Sequence, residues 1–82
     1  MRQHEKTLRA IFEEPTRSDL TWRAVEALLL PLGAELSEGR GSRVRIVLNG
    51  VRAVLHRPHP NKELSRPMVR SLREFLVNGG VR

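Results

Sequence analysis

Arg43 to Leu48 and Val51 to His56 are two six-residue runs of strictly alternating side chains, joined by Asn49-Gly50. Asn-Gly between alternating runs is the strongest short-range hairpin signal, because a two-residue type I′ turn needs positive φ at both central positions. A two-residue loop also fixes the register. Leu48 faces Val51, Val47 faces Arg52, Ile46 faces Ala53, Arg45 faces Val54, Val44 faces Leu55 and Arg43 faces His56. Successive side chains on a strand point to opposite faces, so the two sets cannot mix. One face is then wholly apolar: Val44, Ile46, Leu48, Val51, Ala53 and Leu55. The other carries Arg43, Arg45, Arg52 and His56 around Val47 and Val54. The apolar face calls for a helix packed on it, and the basic face for water or a polyanion.

Helical patterns stand on both sides of the hairpin. Thr21 is placed as an N-cap, with Leu20 before it and Val25 after it as a hydrophobic staple. Val25, Leu28, Leu29 and Leu32 form a stripe that Gly33 stops, with Pro31 kinking or tightening the last turn. Ala34 to Ser37 is a candidate edge strand, and Glu38 to Ser42 a glycine-punctuated turn. Beyond the hairpin, Pro58 and Pro60 make a stiff loop. Ser65 and Pro67 mark a helix start, and Met68, Val69, Leu72, Phe75 and Leu76 give that helix its apolar stripe up to Gly79-Gly80. Ahead of all this, Leu8, Ile11 and Phe12 predict a short helix over 5–14, followed by Pro15. The expected fold is α+β, with core order α-β-β-β-α and two helices on one face of a three-stranded antiparallel sheet. Residues 1–19 are a short N-terminal helix and connector, and residues 20–82 the domain.

Charge separates along the chain. Residues 1–38 carry five basic and seven acidic side chains, and residues 39–82 carry ten basic and two acidic, for a net charge of +6. Thirteen of the fifteen cations are Arg, whose planar fork of donors suits phosphate. An Arg-rich half points to a polyanion, nucleic acid foremost. The chain has no cysteine, which excludes thiol nucleophiles, disulfides and thiolate zinc sites. The three histidines, His4, His56 and His59, have no Asp or Glu near them in the hairpin and their spacing does not supply a metal site, and no cofactor is expected. No apolar run is long enough to cross a membrane. Met1 is followed by charge rather than by an apolar segment, so a cytoplasmic location is expected. The only aromatic residues are Phe12, Trp22 and Phe75, none of them in the hairpin. Recognition of nucleic-acid shape and backbone is therefore expected over base stacking on aromatic rings.

From about Leu20 to Val81 the chain resembles the HicA toxins of toxin–antitoxin modules. The resemblance lies in an ordered set: the capped helix ending in Leu32-Gly33-Ala34, the turn Gly39-Arg40-Gly41-Ser42 opening a strand, the hairpin leading into Pro58-His59-Pro60, then Lys62-Glu63-Leu64, and the closing helix Val69-Arg70-Ser71-Leu72 with its Gly79-Gly80 stop. It implies a fold like the double-stranded-RNA-binding domain. It also implies a toxin that binds and cleaves messenger RNA without the ribosome, and a HicB-type antitoxin partner that covers the active face. The family places its catalytic histidine after Gly-Ser at the start of the strand. Here the matching stretch is Gly41-Ser42-Arg43, so an arginine stands in its place.

Metal-free RNA cleavage needs a base for the 2′-hydroxyl, an acid for the leaving 5′-oxygen and cations for the phosphate. Histidine suits the proton roles, whereas arginine holds charge and does not deprotonate. The hairpin register sets His56 across from Arg43, so the expected catalytic set is His56 with Arg43 as phosphate clamp. His59, which matches the family's proline-flanked histidine, is the further candidate; its other reading is a brace for the loop. The expected RNA contacts are Arg40, Gly41, Ser42, Arg43, Arg45, Arg52, Arg57 and Lys62. Two functions stay open: a HicA-like endoribonuclease, and a catalytically inactive module that binds RNA or an antitoxin because Arg43 has replaced the histidine.

Overall fold

In the computed structural model, residues 2–59 and 61–82 are described; Pro60 of the expected stiff loop lies outside them. The element order is α1 (Arg2–Ile11), α2 (Trp22–Leu29), β1 (Glu35–Glu38), β2 (Arg43–Leu48), β3 (Val51–His56) and α3 (Arg66–Asn78). After α1 this is the expected α-β-β-β-α order, and the strands form one antiparallel sheet, β1-β2-β3.

Each core helix starts and stops for a local reason. Thr21 Oγ1 accepts from the Ala24 amide at 3.3 Å, and Ser65 Oγ from the Met68 amide at 3.4 Å, satisfying donors that a first turn leaves free. At the other end of α2 the Ala34 amide donates to Leu29 O and the Gly33 amide to Leu30 O, with Gly33 at φ +94°. This is a Schellman closure, and its left-handed residue is the glycine. After α3 the same pair of bonds runs from Val81 to Leu76 and from Gly80 to Val77, with Gly80 at φ +79°.

The helical stripe of α2 is shorter than its sequence suggests. Val25, Leu28 and Leu29 are buried, but Leu32 is 37% exposed. Pro31 has no amide to donate to the carbonyl one turn back. The regular helix therefore stops at Leu29, and the tightened turn rotates Leu32 off the stripe.

α1 starts and ends earlier than the expected span of 5–14. Phe12 and Glu13 donate to the carbonyls of Arg9 and Ala10, three residues back, so the last turn tightens to 3₁₀ spacing. α1 packs against α2 and α3. Its Ala10 and Ile11 share one core with Trp22, Val25, Leu28 and Leu29 of α2 and with Val69, Leu72, Phe75 and Leu76 of α3. Arg73 of α3 holds the end of α1: its Nε donates to Ile11 O at 2.6 Å, Nη2 to Glu13 O at 2.5 Å, and Nη1 meets Glu14 Oε2 at 2.6 Å.

The sheet joins the same core through Val44, Ile46, Leu48 and Leu55. Asn49 and Gly50 have φ of 52° and 82°, both positive as a I′ turn requires, and all six expected cross-strand pairs are present. The Asn49 side chain also donates to Gly79 O at 2.6 Å, pinning the hairpin tip to the end of α3. A Cβ on Gly79 would lie 3.3 Å from Leu48 Cδ2, so this crossing favours a residue without a side chain.

Candidate nucleic-acid interface

The Arg57 amide donates to Ser42 O, so residues 42 and 57 form a hydrogen-bonded pair. Such pairs alternate with non-hydrogen-bonded ones along an antiparallel ladder. The pairs Arg43–His56, Arg45–Val54 and Val47–Arg52 are then all of the second kind, in which side chains approach more closely, with Cα atoms about 4.5 Å apart. All three lie on the face away from the core. Arg43, Arg45, Arg52, Val54 and His56 are exposed, and Val47 is half-buried.

β1 adds a third column. It pairs with β2 so that Glu35 lies beside Val47 and Ser37 beside Arg45, and the Gly39 amide donates to Arg43 O at 2.9 Å. The open face is thus three rows deep: Gly39, Arg43 and His56; Ser37, Arg45 and Val54; Glu35, Val47 and Arg52. The turn that brings β1 back closes through the Arg43 amide on Arg40 O, with Gly41 at φ +62°, a conformation glycine adopts freely.

Two contiguous grooves open on this face. The smaller, about 200 Å³, lies over Gly39 and is bounded by Arg40, Arg43, Arg45 and Val54. Three guanidinium groups around a position with no side chain suit an anion with several acceptor oxygens. The larger, about 520 Å³, is lined by Glu35, Ser37, Arg45, Val47, Arg52 and Val54 among others.

Of the candidates named from sequence, Arg40, Gly41, Ser42, Arg43, Arg45, Arg52 and His56 are all exposed, on the turn or the open face. Arg57 sits apart from these. One residue beyond His56, it falls on the opposite side of the sheet by strand alternation. Its side chain is 30% exposed and its Nη1 meets Glu38 Oε2 at 2.7 Å. Lys62 is exposed, but its backbone belongs to the loop stitched to the start of α2, where Lys62 O accepts from Trp22 and Leu20 O from Leu64. In that loop His59 is exposed, and its Nδ1 accepts from the Asn61 amide at 3.3 Å. Trp22 is 1% exposed and therefore offers no stacking surface.

Sequence reasoning missed Glu35, Ser37 and Gly39. The four-residue turn 39–42 does not set register as Asn-Gly does, so the pairing of β1 with β2 was not readable. The available signal was Glu35-Leu36-Ser37, whose alternation matches that of β2. Among the described residues no group of His, Asp and Glu side chains could hold a metal ion, and no helix is long and apolar enough to cross a membrane.

No curated protein and no solved structure gives a significant match to the chain. The family model described as HicA toxin of bacterial toxin–antitoxin matches residues 22–76, from the first residue of α2 to Leu76 in α3, and so takes in the whole sheet and both grooves. With that span covered and the α-β-β-β-α order in place, the chain belongs to the HicA toxin family of bacterial toxin–antitoxin modules.

Proposed function

We propose that this toxin binds messenger RNA on the open sheet face and cleaves it without a metal ion, and that a HicB-type antitoxin neutralises it by covering that face. The observation that carries this is the Arg43–His56 pair, which sets an imidazole beside a guanidinium-lined groove on a solvent-open surface. In this mechanism His56 takes the proton of a 2′-hydroxyl, whose oxygen attacks the adjoining phosphorus. The bond from phosphorus to the 5′-oxygen breaks, leaving a 2′,3′-cyclic phosphate, and the imidazolium returns its proton to the departing oxygen. Arg43, Arg45 and Arg40 hold the phosphate and the charge that builds on it. His59, with Nδ1 engaged by Asn61, keeps the loop in shape.

The test is incubation of the purified chain with messenger RNA, with and without chelator. Cleavage should persist in chelator. His56→Ala should lower the rate at least about a hundredfold, the ordinary worth of a positioned proton-transfer group. His59→Ala should cost far less, and added HicB-type antitoxin should stop the reaction. Cleavage by His56→Ala at the wild-type rate would remove this mechanism. Arg43, standing where the family keeps its catalytic histidine, favours a second function: a module that holds RNA or antitoxin without cutting. RNA binding by the wild-type chain with no cleavage product would select it.

A further inference from the structure

The larger groove contains a group that a purely phosphate-tracking surface does not need. Glu35 faces outward in the row Glu35, Val47, Arg52, where its carboxylate repels phosphate. Among the described residues its carboxylate makes no ion pair or hydrogen bond, even though Arg45 and Arg52 line the same groove. The other carboxylate of β1 differs: Glu38 is spent on Arg57 at 2.7 Å. β1 therefore carries one carboxylate that serves the fold and one whose acceptors are unused.

What surrounds Glu35 narrows the choice of ligand. Val54 is 58% exposed, an apolar side chain standing among arginines. Together with Val47 it gives the groove an apolar patch that a flat ring would cover. Arg45 and Arg52 contribute guanidinium planes, on which unpaired RNA bases stack. The rows of Arg43 and Glu35 are four residues apart along β2, about 13 Å, so one strand of RNA can serve both grooves.

We infer that Glu35 reads the Watson–Crick edge of one unpaired guanine seated in this groove beside the clamped phosphate; the inference rests on the RNA-binding function proposed above. An ionised carboxylate only accepts hydrogen bonds. Adenine and cytosine each set one amino donor next to a ring acceptor that repels it. Uracil sets one donor between two carbonyl acceptors. Guanine alone presents two adjacent donors, N1–H and the N2 amine, and matches both carboxylate oxygens. Most of the affinity still comes from the RNA backbone, and a single base position is selected.

The test uses the full chain and fluorescence anisotropy at fixed salt. The probes are uridine octamers with all 2′-hydroxyls methylated to prevent cleavage, carrying G, A, C, U or inosine at one central position. The guanine probe should bind about tenfold tighter than the other three standard bases, the scale of one good bidentate pair. Inosine, which lacks the N2 amine, should lose most of that advantage. Glu35→Gln and Glu35→Ala should abolish the preference while binding the non-guanine probes more tightly, because a negative charge has gone. Equal binding of all five probes by the wild-type chain overturns the inference. So does an equal gain for every probe in the two variants, which reduces Glu35 to an electrostatic brake. Absence of binding to any probe removes the RNA-binding function itself, and the guanine pocket with it.

Discussion

Asn49 does two things that are separable by substitution. It takes the positive φ of 52° that the hairpin turn needs, and its side chain donates to Gly79 O at 2.6 Å. Asn49→Gly keeps the first and loses the second. It should lower unfolding free energy by about 1 kcal/mol, the net worth of one hydrogen bond. Asn49→Ala loses both, since alanine resists left-handed backbone, and should cost about 2 kcal/mol. Urea denaturation of the two variants against the wild type measures both. Equal stability of Asn49→Gly and the wild type would show that the tether between hairpin tip and α3 contributes nothing. This residue also explains why the hairpin was legible from sequence. Asn-Gly reports a turn type, the turn type sets the loop at two residues, and the loop length sets every pair from Leu48–Val51 back to Arg43–His56. No comparable chain of inference reaches Arg57, because the last residue of a strand and the one after it look alike in sequence yet point to opposite sides.

Among the elements, α1 owes its position to contacts distant in sequence. Arg73 joins α3 to Ile11, Glu13 and Glu14 across some sixty residues, and its side chain is only 18% exposed. Arg73→Ala should destabilise the chain by about 2 kcal/mol, since it strips carbonyls and a carboxylate of a charged donor. Arg73→Lys should restore less than half, because one ammonium cannot span three acceptors. Hydrogen exchange should show where the loss falls: amides of Leu8 to Phe12 should speed up well before those of the hairpin, as local opening does not require global unfolding. Such long-range anchoring left no trace in the periodicity of residues 5–14, which reports a narrow apolar stripe and nothing about what lies against it. β1 was half legible for a related reason. A strand was expected over Ala34 to Ser37, but its register depended on the four-residue turn 39–42, and with the register went the knowledge that Glu35 and Gly39 share a face with Arg43.

At the scale of the whole molecule, the basic second half of the chain does not act as one patch. Arg43, Arg45 and Arg52 share the open face, whereas Arg57 and Arg73 are engaged with carboxylates and carbonyls of the fold itself. RNA affinity should fall as salt rises through release of counterions from the phosphates. Each of Arg43→Ala, Arg45→Ala and Arg52→Ala should flatten the plot of log affinity against log salt by about 0.7, the single-strand value per phosphate contact. Arg57→Ala should leave that slope unchanged and lower the thermal midpoint instead. A slope that moves with Arg57 and not with Arg45 would reverse the assignment of faces. The two-residue period of the hairpin has one last consequence. Positions 43, 45, 47, 52, 54 and 56 face away from the core, so mutation can rewrite them while 44, 46, 48 and 55 keep the scaffold intact. Selection for a new target has six outward positions to work with, and a change at any of them leaves the packed side of the hairpin as it was.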